Sequence, residues 1–194
     1  MPIQARLFRR EVLPFVASFA LLAASALALD GLLHLLGLLS IGRWLGIPGT
    51  LLIIGSTVYS LRKRRLIQSG HPAKLLRWHE GLAWLGSLFV LVHAGVHFNA
   101  ILGWLAVGAM LINVVSGLTG QFLLERARRR LEDARQQSRA RGLPEAEIAE
   151  RLYWDSMTFD AVKQWRVVHF PITLAFAVLA LAHIVAIALF WGWN

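Results

Sequence analysis

Long uncharged stretches dominate this chain, and their lengths are those of membrane-crossing helices. Residues 12–29 and 31–42 are separated only by Asp30, and 44–61, 81–124 and 167–194 contain no Asp, Glu, Lys or Arg. A helix needs about 20 predominantly apolar residues to cross the hydrocarbon core of a bilayer. The run from Gly81 to Leu124 exceeds that length, so it is divided into two spans that turn near Asn99–Gly103. The pattern predicts five transmembrane helices, at about 12–39, 44–61, 77–98, 101–124 and 165–191. The expected fold class is all-α: one integral-membrane bundle of five helices over residues 1–194. The first run opens on Arg6, Arg9 and Arg10 as a signal peptide does, but it far outlasts an h-region of about 7–15 residues and is read as a retained span.

The only sizeable polar segment is a helical loop at about 125–160. Its residues Arg126–Arg141 are rich in good helix formers and continue the fourth span beyond the membrane. Gly142 stops that helix, and Pro144 with Glu145 and Glu147 marks a new start, with acids at the positive dipole end. This second helix is expected to reach about Trp154, with Asp155, Ser156 or Thr158 capping the fifth span. Gly70-His71-Pro72 breaks the chain in the loop before the third span.

Charge orients the bundle. Three basic residues precede the first span, six lie between Arg62 and Arg77, and ten lie in 125–166. In a five-span arrangement these 19 of the 20 Lys and Arg share one face, with Arg43 the exception. The positive-inside rule makes that face cytoplasmic, so the amino terminus is expected inside and Trp191-Gly192-Trp193-Asn194 outside. The formal net charge of +9 is thereby assigned to topology and to anionic lipid headgroups. No nucleic-acid recognition motif accompanies it. With no cysteine, disulfides, cysteine-ligated iron–sulfur clusters and covalent haem attachment are excluded.

The candidate chemistry lies in the histidines. Of His34, His71, His79, His93, His97, His169 and His183, all but His71 fall in or beside the apolar runs, where an ionisable group points to function. His79 and His93 are 14 residues apart on the third span; His169 and His183 are 14 apart on the fifth. At about 1.5 Å per residue each pair is separated by roughly 21 Å along its helix, and the second imidazole returns to within about 40° of the first. With one span between them, the third and fifth helices run in the same direction. They therefore offer two imidazole pairs, His79–His169 nearer the cytoplasm and His93–His183 nearer the outside. Two bis-histidine haems stacked across a membrane need that arrangement.

His97 competes with His93. Its angle relative to His79 is better, but its axial separation of about 27 Å does not match the fifth span. It is read as a neighbour of the outer haem, bonding a propionate or lining a quinone pocket; Asp30 and His34, an i,i+4 pair near the outer end of the first span, either satisfy each other in a local hydrogen bond or border the same pocket. Gly86, midway between His79 and His93, either admits a porphyrin edge or aids helix packing. Arg77 and Arg166 precede His79 and His169 at the depth where inner propionates would emerge, and they serve equally as topology charges.

Arg77-Trp78-His79 with His93, followed by Trp165-Arg166-Val167-Val168-His169 with His183, resembles the membrane di-haem cytochrome b family, in particular small bacterial cytochrome b subunits. The resemblance covers about residues 75–190. It implies four haem ligands (His79, His93, His169 and His183), two non-covalent haem b groups and exchange of electrons with a quinone. It further implies a bacterial inner-membrane location and redox partners on other chains, such as a cytochrome c or an iron–sulfur protein. No FAD- or NADPH-binding sequence follows the fifth span, and the Pro-Glu-Trp-Tyr motif of bc-complex quinol sites is missing. The competing expectation is a histidine-based metal or proton transporter, for which the H-x-x-x-H of His93 and His97 would suit zinc or copper; no H-E-x-x-H protease signature occurs.

Overall fold

The computed structural model describes residues 12–95 and 101–190, without the side chains of 123–127, 154, 155, 158, 161–163, 165 and 166. Every regular element among the described residues is helical. In chain order they are α1 (Leu13–Leu35), α2 (Leu39–Trp44), α3 (Gly46–Ser56), α4 (Val58–Lys63), α5 (Pro72–Gly95), α6 (Ile101–Leu118), a π-helical stretch (Thr119–Leu124), α7 (Glu125–Ala140), α8 (Glu145–Arg151) and α9 (Tyr153–Phe190).

Among the described residues, four stretches are long and apolar enough to cross a membrane: Leu13–Leu35, Leu39–Lys63, Ile101–Phe122 and Val167–Phe190. Large apolar side chains are bared along them; Leu27 is 74% exposed and Leu189 71%. Water-soluble monomers seldom show such continuous apolar surface, whereas lipid chains solvate it. The protein is a multi-pass, all-helical membrane protein. The helix expected at 77–98 forms as α5 but is not among the four. Its described part, Pro72–Gly95, carries Lys74, Arg77, His79, Glu80 and His93.

The second stretch is one span in three helical segments. Pro48 accounts for the first break. Its nitrogen carries no hydrogen and its ring clashes with the carbonyl four residues back, at Trp44. The chain accordingly ends α2 at Trp44 and restarts at Gly46, which puts Pro48 in a first turn where no intrahelical donor is needed. Around the second break, at Thr57, two hydroxyls bond back to the main chain: Ser56 to the Ile53 carbonyl and Thr57 to the Ile54 carbonyl, both at 2.7 Å. Such back-bonding bends helices.

The described chain divides into two compact units, one built on Val115–Pro171 and the other on Phe19–Val114 with the helix from Ile172 onward. The second unit has a core of Ala26 and Leu33 from α1 and Val92 from α5, flanked by Leu29, Leu45, Leu88 and Leu91. Here α3 and α5 approach to backbone contact. A Cβ added to Gly86 would lie 2.8 Å from the Gly49 carbonyl oxygen and 2.8 Å from Ile53 Cγ1. Small residues permit such crossings in membranes, where dispersion contacts replace the hydrophobic drive between helices. Thr173 on α9 donates to Asn113 Oδ1 on α6 at 3.0 Å.

The unit on Val115–Pro171 contains a helical hairpin. Gly142 takes φ +73°, a left-handed conformation that suits glycine, and ends α7 as expected. Pro144 is extended, and Glu145 and Glu147 follow in the first turn of α8. Leu131, Ile148 and Leu152 are buried between the two helices, with Ala134, Leu143 and Phe159 packed against them. Arg139 Nε donates to Glu145 Oε1 at 2.6 Å across the turn. One boundary differs from the expectation. The long helix α9 begins at Tyr153, so Asp155, Ser156 and Thr158 lie inside it rather than at its cap. Burial of Leu152 in the hairpin core fixes the corner there, and the Ser156 hydroxyl donates to the Tyr153 carbonyl at 2.8 Å.

Candidate functional site

His93 stands in the last turn of α5, and its ring is fixed by the break in the second span. Nδ1 lies 2.8 Å from the main-chain oxygen of Arg43, in the last turn of α2. A carbonyl has no hydrogen to give, so Nδ1 carries the proton and donates it, which makes Nε2 the nitrogen able to coordinate. Metal-binding histidines are commonly held in this way, by a second ring nitrogen bonded to a carbonyl. Below the ring lies Gly46, the first residue of α3. A Cβ there would come 2.9 Å from His93 Cγ and 3.0 Å from Cδ2 and Cε1.

His183 on α9 faces His93. The two ring centroids are 6.4 Å apart and the ring planes meet at 66°. That separation is informative. With a metal–imidazole bond of about 2.0 Å and about 1.1 Å from ring nitrogen to ring centre, imidazoles on opposite sides of one ion have centres roughly 6.2 Å apart; at a tetrahedral angle the figure is roughly 5 Å. The observed 6.4 Å matches the opposed separation, so these two imidazoles would be able to hold one metal centre between them. The angle between the planes adds no constraint, since each imidazole can turn about its own bond to the metal. Among the described residues no group of three or more His, Cys, Asp or Glu comes together.

His79 is held by the same device one helical segment away. Its Nδ1 donates to the main-chain oxygen of Ser56, the last residue of α3, at 2.9 Å. Last-turn carbonyls lack an intrahelical donor and accept one from elsewhere. Tyr59 lies beside the imidazole, centroids 5.6 Å apart, and Lys63 Nζ sits 6.0 Å from the Tyr59 ring centre. His79, Tyr59, Trp78 and Leu82 border a shallow apolar cleft between α4 and α5. His169 lies on α9 two residues before Pro171 and belongs to the other compact unit. The pairing of His79 with His169 therefore stays with the depth argument from the sequence.

The remaining candidates divide. Gly86 is buried against Gly49 and Ile53, so the close approach visible there is that of helix to helix. Arg77 is exposed near the start of α5. His97 lies outside the described residues, as does the side chain of Arg166. His34 donates Nδ1–H to the Asp30 carbonyl oxygen at 2.9 Å, a local bond one turn back. The Asp30 carboxylate packs against Gly95, whose added Cβ would lie 3.0 Å from Oδ1. The carbonyls of Arg43 and Ser56, and Gly46 itself, were not among the expected site residues. Pro48 was the available signal, because it places a break, and hence unclaimed carbonyls, near Trp44.

No protein-family model, curated protein or solved structure matches this chain.

Proposed function

We propose that this protein carries electrons across a bacterial inner membrane through two non-covalent b-type haems, as the membrane subunit of a quinone-linked redox complex. The observation that carries the reading is the His93–His183 pair, ring centroids 6.4 Å apart, with the Nδ1 of His93 committed to a main-chain carbonyl. Its support is the second histidine on the same helix, His79, with its Nδ1 committed in the same manner.

In this reading α5 also crosses the membrane, as the third of five spans in chain order. Its 24 residues reach about 36 Å at 1.5 Å per residue, enough to cross, and the polar groups that lower its hydropathy are those expected to face a cofactor. The amino terminus is cytoplasmic by the distribution of basic residues. His93 and His183 hold the outer haem; His79 and His169 hold the inner one. Haem, when bound, supplies a reversible one-electron couple whose potential follows axial ligation, hydrogen bonding and burial. The chain contributes the rest. The carbonyls of Arg43 and Ser56 fix the tautomers of His93 and His79, and the apolar helices keep water from the imidazoles. Arg77 and Arg166 offer positive charge on the cytoplasmic side for propionates. Electrons enter or leave through a quinone and through partner redox subunits such as a cytochrome c or an iron–sulfur protein.

The test uses three variants in membranes. His93→Ala, His183→Ala and the double substitution should each lose the same single haem and keep the other, seen as one absent component in reduced-minus-oxidised spectra and redox titration. Loss of different components from the two single variants would show that His93 and His183 do not share an iron.

A further inference from the structure

We infer that the second span is segmented in order to orient the histidines of α5, and that Gly46 is the positioning residue for His93; this rests on the reading of His93 as an axial haem ligand.

The register is the first observation. Arg43 and Ser56 are 13 residues apart on the second span, and the histidines that use their carbonyls, His93 and His79, are 14 apart on α5. The earlier carbonyl meets the later histidine, as antiparallel neighbours require. In an unbroken helix each of these carbonyls would accept from the N–H four residues on. The breaks at Leu45 and Thr57 place Arg43 in the last turn of α2 and Ser56 at the end of α3, where carbonyls turn to outside donors. Two breaks in one span thus coincide with the two histidines of its neighbour.

Gly46 is the second observation. The His93 ring lies flat over its Cα, so close that a Cβ would meet three ring atoms at 2.9–3.0 Å. The carbonyl of Arg43 fixes the ring nitrogen, and the bare backbone at Gly46 fixes the plane. Rotation of an axial imidazole about its iron bond changes its π overlap with the iron, so the plane set by Gly46 governs the electronic signature of one haem. Gly55, on the same span, meets nothing closer than Leu82 Cδ1 at 3.8 Å, an ordinary contact, and serves as the control.

The experiment compares Gly46→Ala and Gly55→Ala in purified full-length protein by haem content, electron paramagnetic resonance of the ferric state and redox titration. Gly46→Ala should shift the low-spin signal and midpoint potential of one haem, or release that haem alone, with the other unaltered. Gly55→Ala should move neither. Unchanged signals from both haems in Gly46→Ala would overturn the inference, whereas absence of haem from the unaltered protein would instead sink the underlying reading. Should Gly46→Ala fail to accumulate, the unaltered protein decides. Electron–nuclear double resonance should detect a slowly exchanging Nδ1 proton on axial imidazole, and immediate exchange with deuterium at every axial ligand would refute the carbonyl anchors.

Discussion

His71 aside, the histidines of this chain sit in or beside its apolar stretches, where an ionisable side chain is expensive to keep. His93 is the one whose surroundings say most. Its Nδ1 is bonded to the Arg43 carbonyl, its ring rests on Gly46, and the His183 ring centre lies 6.4 Å from its own. The depth argument favours His93 over His97 on spacing alone, and His97 lies outside the described residues. Substitution should separate the two: His97→Ala should retain both haems while shifting a potential or quinone reactivity, and His93→Ala should retain one. Haem lost from His97→Ala but kept in His93→Ala would reverse the assignment. The interval of 14 residues was legible because helical geometry maps it directly to depth. The carbonyl anchors were not, because which main-chain oxygen meets an imidazole depends on the pairing of two helices, which no local pattern encodes.

At the scale of elements, the glycines define one crossing. Gly49 and Gly86 bring α3 and α5 together with room for no further atom. Gly86→Leu should overpack this contact at a cost of about 1–3 kcal/mol, lowering the thermal unfolding midpoint; His79 and His93 then lose their carbonyl partners, and haem content should fall with it. Retention of wild-type stability would show that the helices can part without consequence. Spans and the hairpin stop at Gly142 were legible from hydropathy and turn chemistry. The segmentation of the second span was marked only by Pro48, inside a run that hydropathy reads as continuous. Outside the membrane, the Arg139 guanidinium holds the Glu145 carboxyl below its ordinary range, chiefly through their hydrogen bond. A carboxyl depressed on folding stabilises above its unfolded pKa, and that contribution is lost as pH falls through its folded value. Both groups are fully exposed, so the effect is local and weakened by salt. Glu145→Gln, which mimics the acid form, should hasten amide exchange around Gly142 at neutral pH and low salt, and an unchanged rate would assign no role to the pair.

For the whole molecule, sidedness decides which haem meets which partner. The distribution of basic residues predicts that the loop between α6 and α9 is cytoplasmic. A cysteine introduced at Ser138 should resist impermeant reagents in intact cells, and labelling from outside would invert the haem assignment. In the proposed reading, the haem assigned to His79 and His169 lies on the side of Arg77 and Arg166. Positive charge favours the more negative, reduced state, so neutralising both arginines should lower the potential of that haem and leave the other near its original value. The central claim is the count and the mode of attachment of the haems. Acid-acetone extraction of the purified protein, followed by haemochrome quantification, measures both at once. The account predicts about two haem b per polypeptide, all extracted; a folded preparation without haem, or haem that stays with the protein after extraction, would contradict it.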